Sequence, residues 1–148
     1  MSDVRIRNRY WVVVCDGRKA LVLENAGDAE LLNLVTKETR QSDNPSTHEQ
    51  GVERPGRVHQ SVGGERSAVE QTDWHDEAER TFLRELAARL DRAVAAGETK
   101  AIVLVAPPRA MGMLRAALSP RVNKAVKGEI TKDYVMMPVS DIEKRLKA

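Results

Sequence analysis

The stretch Tyr10-Trp11-Val12-Val13-Val14-Cys15 decides the fold, together with Asp16-Gly17, which ends it, and the apolar residues that follow at 19–25. The first run is rich in β-branched and aromatic residues, which favour a strand. Because Asp-Gly tolerates the positive φ angles of a tight turn, the two runs predict a β-hairpin. A third strand is expected over residues 29–38, although the run 31–35 also suits a short helix.

The best-supported helix is predicted from Asp73, as its N-cap, to about residue 96. Apolar residues recur there at helical spacing, acidic residues stand in the first turn, and Gly97 supplies the stop. Next comes the uninterrupted apolar run 101–106, as expected for a central strand that is covered on both faces.

The last part of the chain predicts a helix at 109–118, a weak edge strand at 126–131 and a closing helix at 139–147. The predicted fold class is therefore α/β. The predicted fold has a mixed five-stranded sheet, and its elements follow along the chain in the order β-β-β-α-β-α-β-α, which is the ribonuclease H-like arrangement.

The segment 39–75 differs from the rest in composition. It contains four glycines, two prolines and many charged residues, but few large apolar residues. Such a segment buries too little apolar surface to offset its ordering entropy, so a long mobile loop is expected within one domain of 1–148. Loops of this length are often functional, which makes it the place to look for activity.

Composition restricts the possible partners and location. The 148 residues carry a formal net charge of +2, which by itself indicates neither a nucleic-acid nor a membrane partner. Residues 1–9 lack the apolar segment of a secretory signal, and no apolar run approaches the ~20 residues that span a bilayer. We expect a cytoplasmic protein with no membrane partner, in which Cys15 is a buried, inert thiol.

A ribonuclease H-like order raises the question of a metal-dependent nuclease, which needs several carboxylates at strand ends. Asp16 is one such acid, but the central strand ends in Ala106-Pro107-Pro108, without a second. Asp16 is therefore expected to be a turn residue. The three histidines are scattered and lack cysteine partners, so we predict no metal and no cofactor.

Several stretches together resemble a bacterial family described as "protein required for attachment to host cells". They are Trp11-Val12-Val13-Val14-Cys15-Asp16-Gly17, Ala20-Leu21-Val22-Leu23-Glu24-Asn25, Arg54-Pro55-Gly56-Arg57-Val58, Ala106-Pro107-Pro108-Arg109-Ala110-Met111-Gly112-Met113-Leu114-Arg115 and Thr131-Lys132-Asp133. The family in turn resembles the catalytic middle domain of archaeal and eukaryotic peptide-chain release factors. The resemblance implies a release-factor middle-domain-like fold and a partner in the ribosome or tRNA.

That release-factor domain carries a Gly-Gly-Gln tip on a long loop, and the resemblance implies a loop tip here at Gly63, Gly64 and Arg66. Two glycines let a backbone approach a crowded RNA end closely. Glu65 stands at the implied catalytic position, where esterase-type hydrolysis of peptidyl-tRNA would occur. An ionised carboxylate cannot donate a hydrogen bond there and repels an RNA terminus, so strong catalysis is not expected. The alternative is a flexible glycine hinge.

The predicted phosphate-binding residues are Arg54, Arg57 and His59 near the tip, and Arg109 and Arg115 after the central strand. Arginine pairs well with phosphate oxygens. The alternatives are a solvated mixed-charge loop and a surface role for the last two arginines.

A further candidate phosphate patch consists of the basic residues Arg121, Lys124, Lys127 and Lys132, and its alternative is a solubilising surface. Two functions remain open. One is an RNA-binding module of the translation machinery, and the other is a protein-interaction or regulatory factor in bacterial attachment to host plant cells.

Overall fold

A computed structural model describes residues 4–42 and 64–147, and it describes side chains in the second range from Trp74 onward. The strands are β1 (Trp11–Cys15), β2 (Lys19–Asn25), β3 (Leu34–Gln41), β4 (Ile102–Val105) and β5 (Val126–Ile130). The helices of these ranges are α1 (Gly64–Ala95), α2 (Pro108–Ala117), α3 (Pro120–Ala125) and α4 (Val139–Lys147).

The strands form one mixed sheet in the order β3-β2-β1-β4-β5. The first three strands are antiparallel neighbours, and β4 and β5 run parallel to β1. The predicted α/β class with a mixed five-stranded sheet is therefore confirmed, as is the hairpin at Asp16-Gly17. The expected positive φ angles are absent from this turn, since among the described residues only Arg9 and Gly97 have one. The element order gains α3, which the sequence analysis missed although Ser119-Pro120 is a start signal: the Ser119 hydroxyl accepts a hydrogen bond from the Val122 N–H at 3.3 Å.

The core lies on both faces of the sheet. Alternate residues of β1 point to opposite sides, so Trp11 and Val13 pack beneath α1, α2 and α3, whereas Val12 and Val14 pack beneath α4. Ile6, from the segment before β1, joins the second side. Because both faces are covered, every residue of β1 and β4 is buried.

The third strand begins later than predicted, at Leu34 instead of residue 29. The Asp28 carboxylate accepts hydrogen bonds from the N–H groups of Glu30 and Leu31, at 2.9 and 2.7 Å, and these bonds close a turn. The same bonds lower the pKa of Asp28. The prediction of strand over 29–33 is wrong because this local side-chain bonding competes with extended structure.

The first helix begins earlier than predicted, at Gly64, so Asp73 is an internal helical residue and not an N-cap. Glu, Arg, Ala and Gln between 64 and 72 are good helix formers, and one internal aspartate costs only a few tenths of a kcal/mol. The C-terminal stop is as predicted, since Gly97 has a φ of +78°. The predicted loop 39–75 is thus too long at both ends, because β3 includes residues 39–41 and α1 includes residues 64–75. Residues 43–63 lie outside the described ranges.

Both edge strands carry a β-bulge with a lysine at the extra position. In β3 the partners of Val22 and Leu23 are Glu38 and Thr36, so Lys37 is the extra residue. In β5 the partners of Ile102 and Val103 are Val126 and Gly128, so Lys127 is extra. A charged bulge twists an edge and discourages pairing with another chain.

Candidate functional site

The carboxyl ends of β1, β4 and β5 meet at one edge of the sheet, because these strands are parallel. This carboxyl edge contains the turn after β1 and the start of α2, where ligands often bind in α/β proteins. Asp16 lies in the turn, and its Oδ1 accepts hydrogen bonds from the Arg18 and Lys19 N–H groups, both at 2.8 Å. Asp16 is therefore a turn residue, as predicted.

Helix α1 crosses the carboxyl edge at Gly17. A Cβ on Gly17 would lie 2.7 Å from both Cδ and Cγ of Glu79, so any other residue at this position would force the Glu79 side chain to move. At the other end of the helix, the Arg89 guanidinium lies 5.7 Å from the ring centre of Trp11, the first residue of β1. Helix α1 therefore runs antiparallel to β1, and its N-terminal part continues beyond the hairpin turn.

Arg109 follows Pro108, the first residue of α2, at the carboxyl edge as predicted. Its guanidinium binds the Asp76 carboxylate and lies 3.6 Å from Oε1 of Glu79, both on α1. The hydrogen bond that Arg109 donates to the Asp76 carboxylate raises the pKa of Arg109. The charge that the sequence analysis assigned to phosphate thus has two internal carboxylate partners, although the guanidinium is 57% exposed.

Arg115 lies at the other end of α2 and binds Glu129 of β5. Its Nε donates to the two carboxylate oxygens at 2.8 and 3.1 Å, and the hydrogen bond raises its pKa. Arg109 and Arg115 therefore do not converge on one point, and each has a carboxylate partner. Phosphate binding by either residue stays a prediction.

The predicted loop tip lies partly in α1. Gly64, Glu65 and Arg66 form the first turn of this helix, not a loop, and Gly64 precedes Glu79 by 15 positions. At 1.5 Å per residue this is a helical segment of about 22 Å beyond the hairpin turn. The remaining predicted residues, Gly63, Arg54, Arg57 and His59, lie outside the described residues.

Trp74 is an exposed aromatic on this projecting part of α1 that the sequence analysis did not select. Its side chain is 40% exposed, and its ring meets that of His75 edge to face, with ring centres 4.9 Å apart. Large exposed aromatics are unusual and are enriched where proteins bind partners. The signal was visible in the sequence as an isolated tryptophan within a charged helix.

Cys15 is the last residue of β1 and is fully buried. Burial, with a smaller contribution from the charge of Asp16, raises its pKa from 9.0 to about 12. A neutral thiol is a poor nucleophile and a poor metal ligand. The prediction that Cys15 is buried is confirmed.

Residues 4–42 and 64–147 contain no group of three or more His, Cys, Asp or Glu residues placed to hold a metal ion. Among the helices of residues 4–42 and 64–147, none has the length and apolar character for crossing a bilayer.

The sequence of the whole sheet and its helices, residues 11–146, matches the model of a family described as "Protein required for attachment to host cells". The chain belongs to this family. The resemblance proposed from the sequence is thus confirmed at the level of the family. The name of this host attachment family describes an association and no chemistry.

No curated protein matches the chain. Among solved structures, it is similar to Dom34 of S. cerevisiae, described as a translation termination-like factor involved in RNA quality control pathways, with 11% sequence identity and a TM-score of 0.44. The match covers 98% of this chain and 35% of Dom34, so this chain spans about a third of the length of Dom34. At this identity and TM-score, Dom34 adds nothing to what the strand order itself shows.

Proposed function

We propose that this host attachment family member is a release-factor-like module of the cytoplasm that docks on ribosomal or transfer RNA, without strong catalytic activity. Its support is the sequence resemblance to the release-factor middle domain and the position of Gly64, Glu65 and Arg66 in α1. The observation that carries the proposal is that α1 starts at Gly64, 15 positions before Glu79, the residue that lies against Gly17 in the hairpin turn. Gly64 therefore begins a helical segment about 22 Å long that precedes this contact.

The start of a helix is a favourable place for an RNA phosphate. Unpaired backbone N–H groups and the helix dipole give it a partial positive charge. Arg66, in the same turn, adds a full charge. A glutamate in a first helical turn also interacts favourably with the dipole, which gives Glu65 a role in helix stability that requires no catalysis.

Trp74 supports the same partner. It lies on α1 ten positions after Gly64, and 40% of its side chain is exposed. Aromatic side chains stack on unpaired bases with little dependence on sequence, each worth about 1–3 kcal/mol. An arginine in the first helical turn and an exposed indole further along the helix suit a single-stranded RNA end.

The first test is sedimentation of the tagged protein with ribosomes from growing cells, over a series of salt concentrations. We expect the protein to migrate with ribosomal particles and to dissociate steeply as salt rises, because phosphate contacts release counterions. Arg57→Gln with Arg66→Gln should weaken this association. The matched control is Lys144→Gln with Arg145→Gln, which removes the same charge from exposed positions on α4. A protein that stays at the top of the gradient at low salt would refute the proposal.

A second test concerns catalysis alone. Glu65→Gln restores the amide of the release-factor tip, and a gain of peptidyl-tRNA hydrolysis would show that this scaffold supports the reaction. If Glu65→Gln shows no peptidyl-tRNA hydrolysis, this result counts against a hydrolytic function. The docking proposal then depends on the sedimentation result alone.

A second candidate function, a protein-interaction or regulatory factor in attachment, is favoured by the edge strand β3. Val35 on this strand is 46% exposed, and Leu31 just before it is 72% exposed. A partner strand could pair with such an edge, although the Lys37 bulge opposes it. Recovery of envelope or signalling proteins, and not ribosomal components, in a pull-down of the wild type that is lost with Val35→Glu would favour this function.

A further inference from the structure

The opposite edge of the sheet, where β1 and β4 begin, contains a cavity. It has a volume of about 400 Å³, within the usual range of ligand pockets. Its lining comprises Asn8, Arg9, Tyr10, Gly97, Glu98, Thr99, Lys100 and Ala101. The segment before β1 contributes Arg9 and the ring of Tyr10, and the turn between α1 and β4 contributes Lys100. The cavity lies at the end of the sheet opposite to the carboxyl edge.

The charge of this cavity is positive. The side chains of Arg9 and Lys100 are exposed, and neither has a carboxylate partner within the described part of the chain. The one acid of the lining, Glu98, is already bound by Arg89, whose two terminal nitrogens lie 3.1 and 3.5 Å from its oxygens. The two cations are therefore available for an anion from outside, in contrast to Arg109 and Arg115 at the carboxyl edge.

More cations stand close in sequence to the pairing of β4 with β5. Ile102 pairs with Val126, the first residue of β5, and Lys100 and Lys124 each precede this pair by two residues, Lys124 in the last turn of α3. Lys127 is the bulge residue of β5, and it is exposed like Lys124. Neither lysine has a carboxylate partner among the described residues.

The N-terminal segment contributes two further cations, Arg5 and Arg7. Val4 packs against Gly128 of β5, where an added Cβ would lie 2.4 Å from a Val4 methyl carbon, and Ile6 is buried in the core. The alternate residues Arg5 and Arg7 are exposed. We call the six residues Arg5, Arg7, Arg9, Lys100, Lys124 and Lys127 the basic edge.

The backbone of Arg9 is unusual. Its φ is +72°, in the left-handed region where glycine or asparagine is favoured. The Tyr10 N–H donates to the Arg7 carbonyl at 3.2 Å, which makes Arg9 the third residue of a type II turn. An arginine at this position costs stability, and such costs cluster at functional sites.

We propose that the basic edge binds the phosphodiester backbone of a single-stranded nucleic acid, with one phosphate at Arg9, another at Lys100 and a base against the half-buried ring of Tyr10. Several cations without carboxylate partners suit a run of phosphates, and a cavity with an aromatic wall takes a splayed-out base. This inference rests on the proposed function for the expectation that the nucleic acid is RNA.

The test is fluorescence anisotropy of the full chain with a labelled single-stranded RNA of about 12 nucleotides, and with DNA of the same sequence. Arg9→Gln with Lys100→Gln removes two phosphate contacts, so the slope of log Kd against log salt should fall by about 1.4, at roughly 0.7 per contact. Arg18→Gln with Arg80→Gln is the matched control, because both side chains are exposed and lack carboxylate partners among the described residues. It should keep the wild-type slope.

Circular dichroism checks that each variant is folded. If the first pair does not fold, Lys124→Gln with Lys127→Gln carries the test, with the same expected change. An unchanged slope in a folded variant, or no binding of either RNA or DNA by the wild type, would overturn the proposal. Preference for RNA supports it fully, and equal binding of DNA supports the phosphodiester contact while removing the RNA assignment.

Failure of this inference is distinguishable from failure of the proposed function. Short-RNA binding that depends on the basic edge, without sedimentation on ribosomes, would keep the inference and remove the function. Sedimentation that depends on Arg57 and Arg66, but not on Arg9 and Lys100, would keep the function and remove the inference.

Discussion

Replacement of Asn25 by alanine should be among the most destabilising single changes in this protein. Asn25 is the last residue of β2, and its side chain is completely buried. Its Nδ2 donates to the carbonyls of Ile6, Arg7 and Asp28 at 2.9, 3.2 and 3.1 Å, and its Oδ1 accepts from the N–H groups of Gly27 and Asn33 at 2.9 and 3.0 Å. One amide thus joins the segment before β1 to the turn between β2 and β3.

The magnitude follows from the groups that Asn25→Ala leaves without a partner. A buried backbone group that loses its hydrogen bond costs about 1–3 kcal/mol. Water can reach some of the five groups, because only the bond to Ile6 is fully buried and the other four are partly so. A total of about 4 kcal/mol is therefore expected, a large part of the roughly 5–15 kcal/mol that stabilises a domain.

Urea unfolding followed by circular dichroism measures this free energy. With a dependence of about 2 kcal/mol per molar urea, the midpoint should fall by about 2 M. Asn33→Ala is the matched control, since the Asn33 side chain is exposed and only its backbone takes part in the turn. We expect it to change stability by less than about 0.5 kcal/mol. A loss of under 1 kcal/mol for Asn25→Ala, on the same scale, would refute the idea that this amide holds the two segments together.

Three further predictions concern packing, titration and the sheet edges. Gly17→Ala should cost about 1–3 kcal/mol by urea unfolding, and adding Glu79→Ala should recover most of it, because the added methyl group meets the Glu79 side chain. Burial raises the pKa of Cys15 from 9.0 to about 12, so the thiol of the unfolded chain ionises first and stability should fall as pH rises from 9.0 towards 12. Cys15→Ala should weaken this pH dependence. Equal pH profiles for the two proteins would contradict the burial argument. Lys37→Val with Lys127→Val should increase aggregation in light scattering at unchanged fold, since it removes the charge from both bulged edges.

Local signals made much of the fold predictable. The Asp16-Gly17 hairpin, the buried strand at 102–105 and the helix at 139–147 each depend on residues close together in sequence, and all three occur as expected. The errors lie where a single side chain decides a boundary. The Asp28 carboxylate accepts hydrogen bonds from the Glu30 and Leu31 N–H groups, which prevents a strand before Leu34. The pattern of apolar residues does not predict these bonds.

The candidate site was less predictable, because its contacts join distant parts of the chain. The sequence alone marks Arg109 as a free cation after a strand, whereas its partner Asp76 lies 33 positions earlier. A glycine at position 17 is favoured because the Glu79 side chain, on α1, lies against it. The basic edge did leave a local trace in the alternating arginines of residues 5–9, but only the packing of Val4 and the cavity beside Lys100 bring them together with other cations.

Arg9→Gly separates the cost of the Arg9 backbone from the use of its charge. A left-handed φ costs a non-glycine residue about 1–2 kcal/mol, and glycine loses about 0.5–1 kcal/mol more backbone entropy on folding, so the change should stabilise the protein by roughly 0.5–1 kcal/mol. The turn itself should persist, because the Arg9 N–H still donates to the Asn25 carbonyl, at 2.7 Å in the present structure. The salt slope of RNA binding should meanwhile fall by about 0.7. Arg9→Gln keeps the strain and loses the charge, so it should show the same fall in slope without the gain in stability. Stability and binding that decrease together in Arg9→Gly would mean that the guanidinium supports the fold, and the strained backbone would then no longer point to a ligand.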